Sequence, residues 1–336
     1  MQYEIKKRQY LLDESGTVIS AGWSKAPNFI YDKDFSGVSR FKLKERDCYY
    51  ISNKELGIYI TASEYGIHTV ISVTIINFLE GLIYTRTVTK YFSLGQTDMP
   101  MSSEHGDVTY ADNQVGINFA NTSVKRYIKC DFVDFCEGKN LYINLILEEK
   151  CRESLNVAIP FREHNKCFFL KRFFPAMTVS GLVRFGGYEY NLRNEYSTAY
   201  LDWSRYAVPK HSFYHAVYIN SIVTGKQFAL CLSFGSSGDT VRGSENCFFY
   251  DGIIHKLSTI KAAGNETYLN KPWHFFSLNN NLDLNFRPIT AVNGLMSVNC
   301  DKRTLVFGTI NGKIASSDCE PIMLQNIPAH MEFTIL

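Results

Sequence analysis

Long hydrophobic runs are missing from this sequence of 336 residues. Its most apolar stretch, residues 67–79, is broken by His68, Thr69, Ser72, Thr74 and Asn77, well short of the ~20 residues a membrane helix needs. No membrane-spanning segment is therefore expected. Paired cysteine motifs are missing too: nine cysteines are scattered along the chain with no Cys-x-x-Cys among them. Residues 1–16 carry charges but no apolar run and no small-residue cleavage site, unlike a secretory leader. These features predict a cytoplasmic protein with reduced, mostly buried thiols, in which the sequons at Asn121 and Asn265 carry little meaning. An excess of one charge is also absent. With 35 Lys and Arg against 33 Asp and Glu, the net charge is +2, which argues against an extended phosphate-binding surface and hence against a nucleic-acid partner.

Several catalytic signatures are absent as well. There is no G-x-G-x-x-G, and the glycine-rich stretch 234–243, FGSSGDTVRG, has neither that spacing nor a closing Lys-Ser/Thr; it reads as a long hairpin loop rather than a phosphate cradle. No G-x-S-x-G elbow offers a nucleophilic serine. His211 and His215 lie four apart, which converges on a helix but separates them by about 13 Å on a strand. No metal and no cofactor are expected.

What is present is β-forming residues. The 21 Tyr, 24 Phe and 3 Trp, with many Val, Ile and Thr, suit a pleated, half-buried surface. Strand signals recur at 56–61, 69–75, 82–88, 141–147 and 282–286, bounded by Gly, Asn and Asp. The run at 67–79 has the length of a helix, but its β-branched residues favour strand. Asp251-Gly252 and Asn311-Gly312 both supply the residues of a type I′ hairpin turn. The stretch 156–175, with Pro160, the charged 162–166 and Pro175, suggests a crossover between sheets. The expected architecture is all-β: two antiparallel barrel or sandwich modules with little helix, residues 1–172 and 173–336.

The densest chemistry lies between 188 and 257. A two-residue turn at Asp251-Gly252 pairs Tyr250 with Ile253 and Phe248 with His255. Asn246 and His255 then share one face, and Glu245 points to the other. In 200–206, alternation sets Asp202, Ser204 and Tyr206 against Trp203 and Arg205. Asp202 and Arg205 could form structural ion pairs, with each other or with other groups, while Trp203 fills core. Alternatively, Asp202 or Glu245 is a carboxyl group raised in pKa against aromatic surface and able to act as a general acid. His215 and His255 divide the same way, between interior hydrogen bonding and proton transfer.

These strings also carry a resemblance. Asp202-Trp203-Ser204-Arg205, Pro209, Ser244-Glu245-Asn246 and Asp251-Gly252 followed by His255-Lys256-Leu257 resemble the bacterial family known as domain of unknown function 2804, over the full length. Arg46 to Tyr50, Gly106 to Tyr110 and Phe307 to Gly312 fall where similar family segments fall. Ser244 stands where Thr is usual, and residues 212–215 where the family tends to place Trp. The resemblance implies a lipocalin-like double β-module, shared distantly with carotenoid 1,2-hydratases, tocopherol cyclases and fungal cycloaddition enzymes, which act on apolar substrates through few polar groups. On this reading Asp202, Glu245 and His255 are the candidate catalytic residues, and Trp203, Arg205, Tyr214, His215 and Asn246 the candidate ligand-binding ones. The partner expected is a small, largely apolar molecule. Three functions fit: acid–base chemistry on that molecule, its carriage without reaction, or action on carbohydrate, which would want two carboxyl groups about 5–10 Å apart across a cleft.

Overall fold

The run at 67–79 folds as the strand His68–Asn77, buried along nearly its whole length, which is why it lacks polar alternation. Its neighbours Leu56–Glu64 and Leu82–Tyr91 pair with it antiparallel. The computed structural model describes residues 2–93, 97–122, 124–279, 281–295, 302–316 and 319–336. Among them there is no α-helix, only two short 3-10 turns at Lys33–Phe35 and Arg40–Lys42, and so no helix long and apolar enough to cross a membrane.

The strands form two large curled sheets. The first runs, in spatial order, Leu82–Tyr91, His68–Asn77, Leu56–Glu64, Lys44–Ser52, Thr198–Ala207, Phe168–Phe185, Lys139–Glu148, Lys125–Cys136, Val115–Asn121 and Val108–Ala111. The second runs Ile253–Lys256, Cys247–Tyr250, Lys226–Ser236, Phe213–Val223, Cys319–Ile335, Lys302–Ser316, Leu282–Leu295, Trp273–Ser277 and Ile260–Ala263. Each sheet packs one face around its own apolar core, and the two share a third core between them, built from Tyr50, Tyr59, Phe173 and Tyr200 on one side and Tyr214, Tyr218, Phe249 and Phe307 on the other. Strands at that junction are covered on both faces. All ten residues of Thr198–Ala207 are buried: Leu201 and Trp203 face the first core, Tyr200 and Tyr206 the shared one.

The division expected at 172/173 falls inside the continuous strand Phe168–Phe185, and Thr198–Ala207 still belongs to the first sheet. The chain passes to the second sheet across residues 208–212. The charged stretch 161–166 is a hairpin connection, since Pro160 pairs with Phe168 on the next strand. Its prolines and charges mark a turn rather than a change of sheet.

Asp251-Gly252 is the tip of a hairpin with Tyr250 opposite Ile253 and Phe248 opposite His255, and both turn residues have positive φ, 54° and 83°. Asn311-Gly312 is not a turn. It lies within Lys302–Ser316, where the register with Cys319–Ile335 slips between Ile310 and Gly312. Gly312 has φ of 142°, and a Cβ there would sit 2.0 Å from the Asp283 carbonyl oxygen of the adjacent strand. The Asn311 side chain bonds the backbone and side chain of Asn326 across the slip. The dipeptide thus marks a bulge, the other structure that favours such residues. Gly312→Ala is expected to cost about 1–3 kcal/mol through overpacking and backbone strain, read as a lower urea midpoint at constant slope. An unchanged midpoint would mean that the two strands separate freely at this point.

Candidate functional site

Side chains alternate along a strand, so alternate residues of the junction strands meet between the sheets. The first sheet contributes Arg46, Tyr59, Lys171, Tyr200 and Asp202; the second contributes Tyr214, Tyr218, Arg303, His330 and Glu332, with Glu245 from the end of the loop that follows Lys226–Ser236. Every one of these side chains is buried. Lys171 Nζ is at the centre, 3.0 Å from the Tyr214 hydroxyl, 2.6 Å from that of Tyr218, 3.1 Å from Asp202 Oδ2 and 3.6 Å from Glu245 Oε1. The Tyr214 hydroxyl donates to Glu245 Oε2 and lies 3.1 Å from that of Tyr218. Asp202 also accepts from Ser204 and, at 3.0 Å, from Arg46. Arg46 reaches across to Glu332 at 3.2 Å, which Arg303 holds at 2.8 Å. Tyr200 and His330 Nε2 are 2.9 Å apart.

The two candidate carboxyl groups therefore differ. Burial raises the pKa of Asp202, but Lys171 and Arg46 more than offset it and hold the group below the ordinary carboxylate range. At Glu245 burial prevails over Lys171 and Tyr214, and the pKa is raised. The geometry gives the reason: Glu245 Oε1 has no hydrogen-bond partner among the described residues, and its ion pair with Lys171 is long, at 3.6 Å. Burial, then Glu245, push the Tyr214 phenol well above its usual value, so it remains a proton donor. Lys171 is held charged, because Asp202 and Glu245 outweigh its burial. Burial pushes the His330 imidazole down to about 3.

Of the eight residues singled out in the sequence, the fold brings Asp202, Glu245 and Tyr214 together. Trp203 and Arg205 leave the opposite face of their strand into the first core, where Arg205 pairs with Glu45 at 3.3 Å and Asp47 at 2.9 Å rather than with Asp202. His255 stacks on Phe248 and lies 2.9 Å from Ser316 Oγ, away from the junction. Asn246 accepts the Ser233 amide. His215 packs among Phe213, Phe234 and Phe333 and pairs with the exposed Glu266 at 3.5 Å. The paired hairpin begins at Cys247 and sets His255 opposite Phe248; Glu245 and Asn246 precede it, Glu245 reaching Tyr214 and Asn246 the Ser233 amide.

Lys171, Arg46, Glu332 and His330 escaped the sequence reading. A signal for Lys171 existed: it and Arg172 are flanked by Phe168, Phe169 and Leu170 on one side and Phe173 and Phe174 on the other. Apolar residues of both parities around two adjacent cations mean that both faces are covered.

A surface cleft of about 530 Å³ lies along the connections that lead into this group, without being lined by the group itself. It is lined by Phe161, by 209–212 just ahead of Tyr214, and by 237–241 of the loop that leads to Glu245. Phe161 belongs to the same buried core as Phe169, which stacks on Tyr214 at 5.6 Å between ring centres.

The family model described as Domain of unknown function (DUF2804) matches residues 2–334. Among solved structures, a protein of Nitrosomonas europaea assigned as an AttH is similar in fold, with a TM-score of 0.52, 12% identity, and coverage of 92% of this chain and 98% of that one. Kievitone hydratase from Nectria haematococca (TM-score 0.47, 10% identity, 97% and 98% covered) and CghA (0.46, 8%, 98% and 97%) also match. At these identities the likeness is one of fold alone. No curated protein matches the sequence.

Proposed function

The chain belongs to the DUF2804 family, and for it we propose acid–base chemistry on a small, largely apolar molecule, carried by Tyr214, Glu245 and Lys171 at the junction of the two sheets. The observation that carries this reading is the position of the Tyr214 hydroxyl, 3.0 Å from the Lys171 ammonium and donating to Glu245. A phenol linked to a buried cation on one side and to an under-compensated carboxyl on the other has a path for taking and returning a proton. Lys171 positions the phenol and stabilises negative charge developing on it. Asp202, pinned by Arg46 and Ser204, orients Lys171 and stays ionised. The aromatic surround of Phe161, Phe169 and Tyr206 suits an apolar substrate. Carbohydrate chemistry is less well served, because the space between Asp202 and Glu245 is filled by the Lys171 ammonium rather than left open for a sugar.

The test is proton exchange at carbon. Wild type, Tyr214→Phe and Glu245→Gln are incubated in D2O with a panel of apolar enolisable ketones and conjugated enones, and deuterium uptake is followed by NMR. The expected result is uptake by wild type that falls about 10²–10⁴-fold in each variant, with both variants folded by near-ultraviolet circular dichroism. If wild type exchanges nothing and native mass spectrometry finds an apolar molecule released unchanged from all three proteins, the junction serves a carrier.

A further inference from the structure

The strand faces that carry the acid–base group continue past it to one end of the junction. Alternation places Asn220 on the same face of Phe213–Val223 as Tyr214 and Tyr218, and Thr198 on the same face of Thr198–Ala207 as Tyr200 and Asp202. Along those faces the stacked rings of Tyr200 and Tyr218, 5.5 Å apart, stand between this end and Lys171. Beyond them lies a cavity of about 210 Å³ between the two sheets. Ser52 and Thr198, directly paired on the first sheet, line one side, and Asn220, Ile222 and Pro328 of the second line the other.

The Asn220 side chain is held in one orientation. Its Oδ1 accepts the Ala176 amide at 2.9 Å. That amide leaves the ladder because the strand Phe168–Phe185 bulges between Phe174 and Met177, with Ala176 at a φ of 51°. A β-bulge re-aims the groups it carries, and a non-glycine residue in this region is strained and persists only where its surroundings require it. With Oδ1 turned to Ala176, Nδ2 is turned away from it, and Nδ2 has no hydrogen-bond partner among the described residues. The Thr198 hydroxyl has none either. Both residues line the cavity, and each is only 1% exposed. Ser52 Oγ, by contrast, is engaged: it donates to the Asn220 carbonyl at 3.2 Å.

Buried polar groups are nearly always hydrogen-bonded, and here two donors without partners meet at one cavity. Two donors suit one acceptor oxygen, which has two lone pairs. The oxygen belongs to a neutral group. The charged residues of the lining are Lys54 and Glu195, both exposed and of opposite sign, so no buried counter-charge compensates an ion there. Ile222 and Pro328 suit an apolar body. We infer that this cavity binds a small neutral carbonyl compound, a ketone or a tertiary amide, whose oxygen accepts from Asn220 Nδ2 and Thr198 Oγ1. The site is separate from the acid–base group and does not depend on the chemistry proposed there.

The probe is N-methylpyrrolidone, a cyclic amide that accepts hydrogen bonds and donates none. It is titrated into the full chain while the Asn220 side-chain amide resonances are followed by NMR, with ethylene glycol and sodium acetate as polyol and anion controls. A saturable shift with N-methylpyrrolidone is expected, and neither control should compete. Thr198→Val keeps the shape and removes a hydroxyl that bonds nothing in the protein. It should therefore melt no lower than wild type, yet bind the probe about 3–10-fold more weakly. Asn220→Asp keeps the acceptor for Ala176 and removes both N–H groups, and should weaken binding about tenfold or more. No saturable shift in wild type, equal binding of either control, or undiminished affinity in Thr198→Val would each overturn the assignment. A lowered melting temperature in Thr198→Val would overturn it too, by showing that the hydroxyl already serves the fold. Should Asn220→Asp fail to fold, Thr198→Val decides alone.

Discussion

Lys171→Met will destabilise this protein by about 3–5 kcal/mol at pH 7, the range seen when one partner of a buried charge pair is removed. Methionine fills nearly the same volume, so the loss measures electrostatics rather than a cavity. Asp202 keeps Arg46 at 3.0 Å, but Glu245 loses its nearest cation, Lys171 at 3.6 Å, and has no other ion pair among the described residues. Two phenols, Tyr214 and Tyr218, lose their shared donor as well. The excess therefore resides at Glu245, and the double variant Lys171→Met/Glu245→Gln should recover part of the loss, because a neutral amide does not need the counter-charge. Urea denaturation with an unchanged slope is the measurement. A loss below about 1 kcal/mol for the single variant, or no recovery in the double one, would refute the view that this lysine compensates Glu245.

Acidification should weaken the fold through His330 before Asp202 and Glu332, both held below the ordinary carboxylate range, take up protons. Its folded pKa of about 3 lies below the ordinary histidine value of 6.5. The cause is burial; among the charged neighbours, Glu332 pulls the value up and Lys171 pushes it down, with Asp202 opposing weakly. Because the folded value is depressed, the unfolded chain takes up a proton that the folded chain refuses, and the stability present above pH 6.5 is lost as pH falls towards 3. The slope is about 1.4 kcal/mol per pH unit, so the full window amounts to about 5 kcal/mol. Glu332 adds a loss of the same sign only below its ordinary value of 4.5, since Arg303 and Arg46 hold it down despite its burial. Between pH 6.5 and 4.5, His330 is therefore the main source of loss, with a smaller share from His215, which burial also lowers, while Glu245, Glu45 and Asp47, raised by burial, act in the opposite sense because the folded chain takes up their protons more readily. Stability curves of wild type and His330→Gln across that window test the point. The variant should be markedly flatter, and parallel curves would exclude His330 as the source.

The part of the site that could be read in advance was its parity. Asp202 opposite Trp203 follows from the two-residue repeat of a strand, and that orientation is found, whereas Glu245 and Asn246 lie just ahead of the strand Cys247–Tyr250, outside its register. The Asp251-Gly252 hairpin was legible for a related reason, since four consecutive residues settle it. Asn311-Gly312 carries the same local signal and became a bulge, because the deciding neighbours are Asp283 and Asn326 on the strands alongside. The charged stretch 162–166 looked like a change of sheet and is a hairpin connection, since its prolines and charges report a solvent-exposed turn without saying which strands the turn joins.

What the amino-acid order determined by itself was local: strands in nearly every segment, no helix among the described residues, and two opposed sets of side chains on each strand. Which set meets what was decided only by the tertiary structure. Arg46 finds Asp202 at a separation of 156 positions and Glu332 at 286, and no propensity or periodicity reaches that far. The physical reason is that side-chain direction is set by the backbone of the residue and its neighbours, whereas burial is set by whatever packs on top. When the second sheet covered the outer face of the first, Lys171 lost its water and acquired two carboxylates and two phenols, while Arg172, one residue on and facing the other way, exchanged its water for the Ser103 hydroxyl and the Phe29 carbonyl.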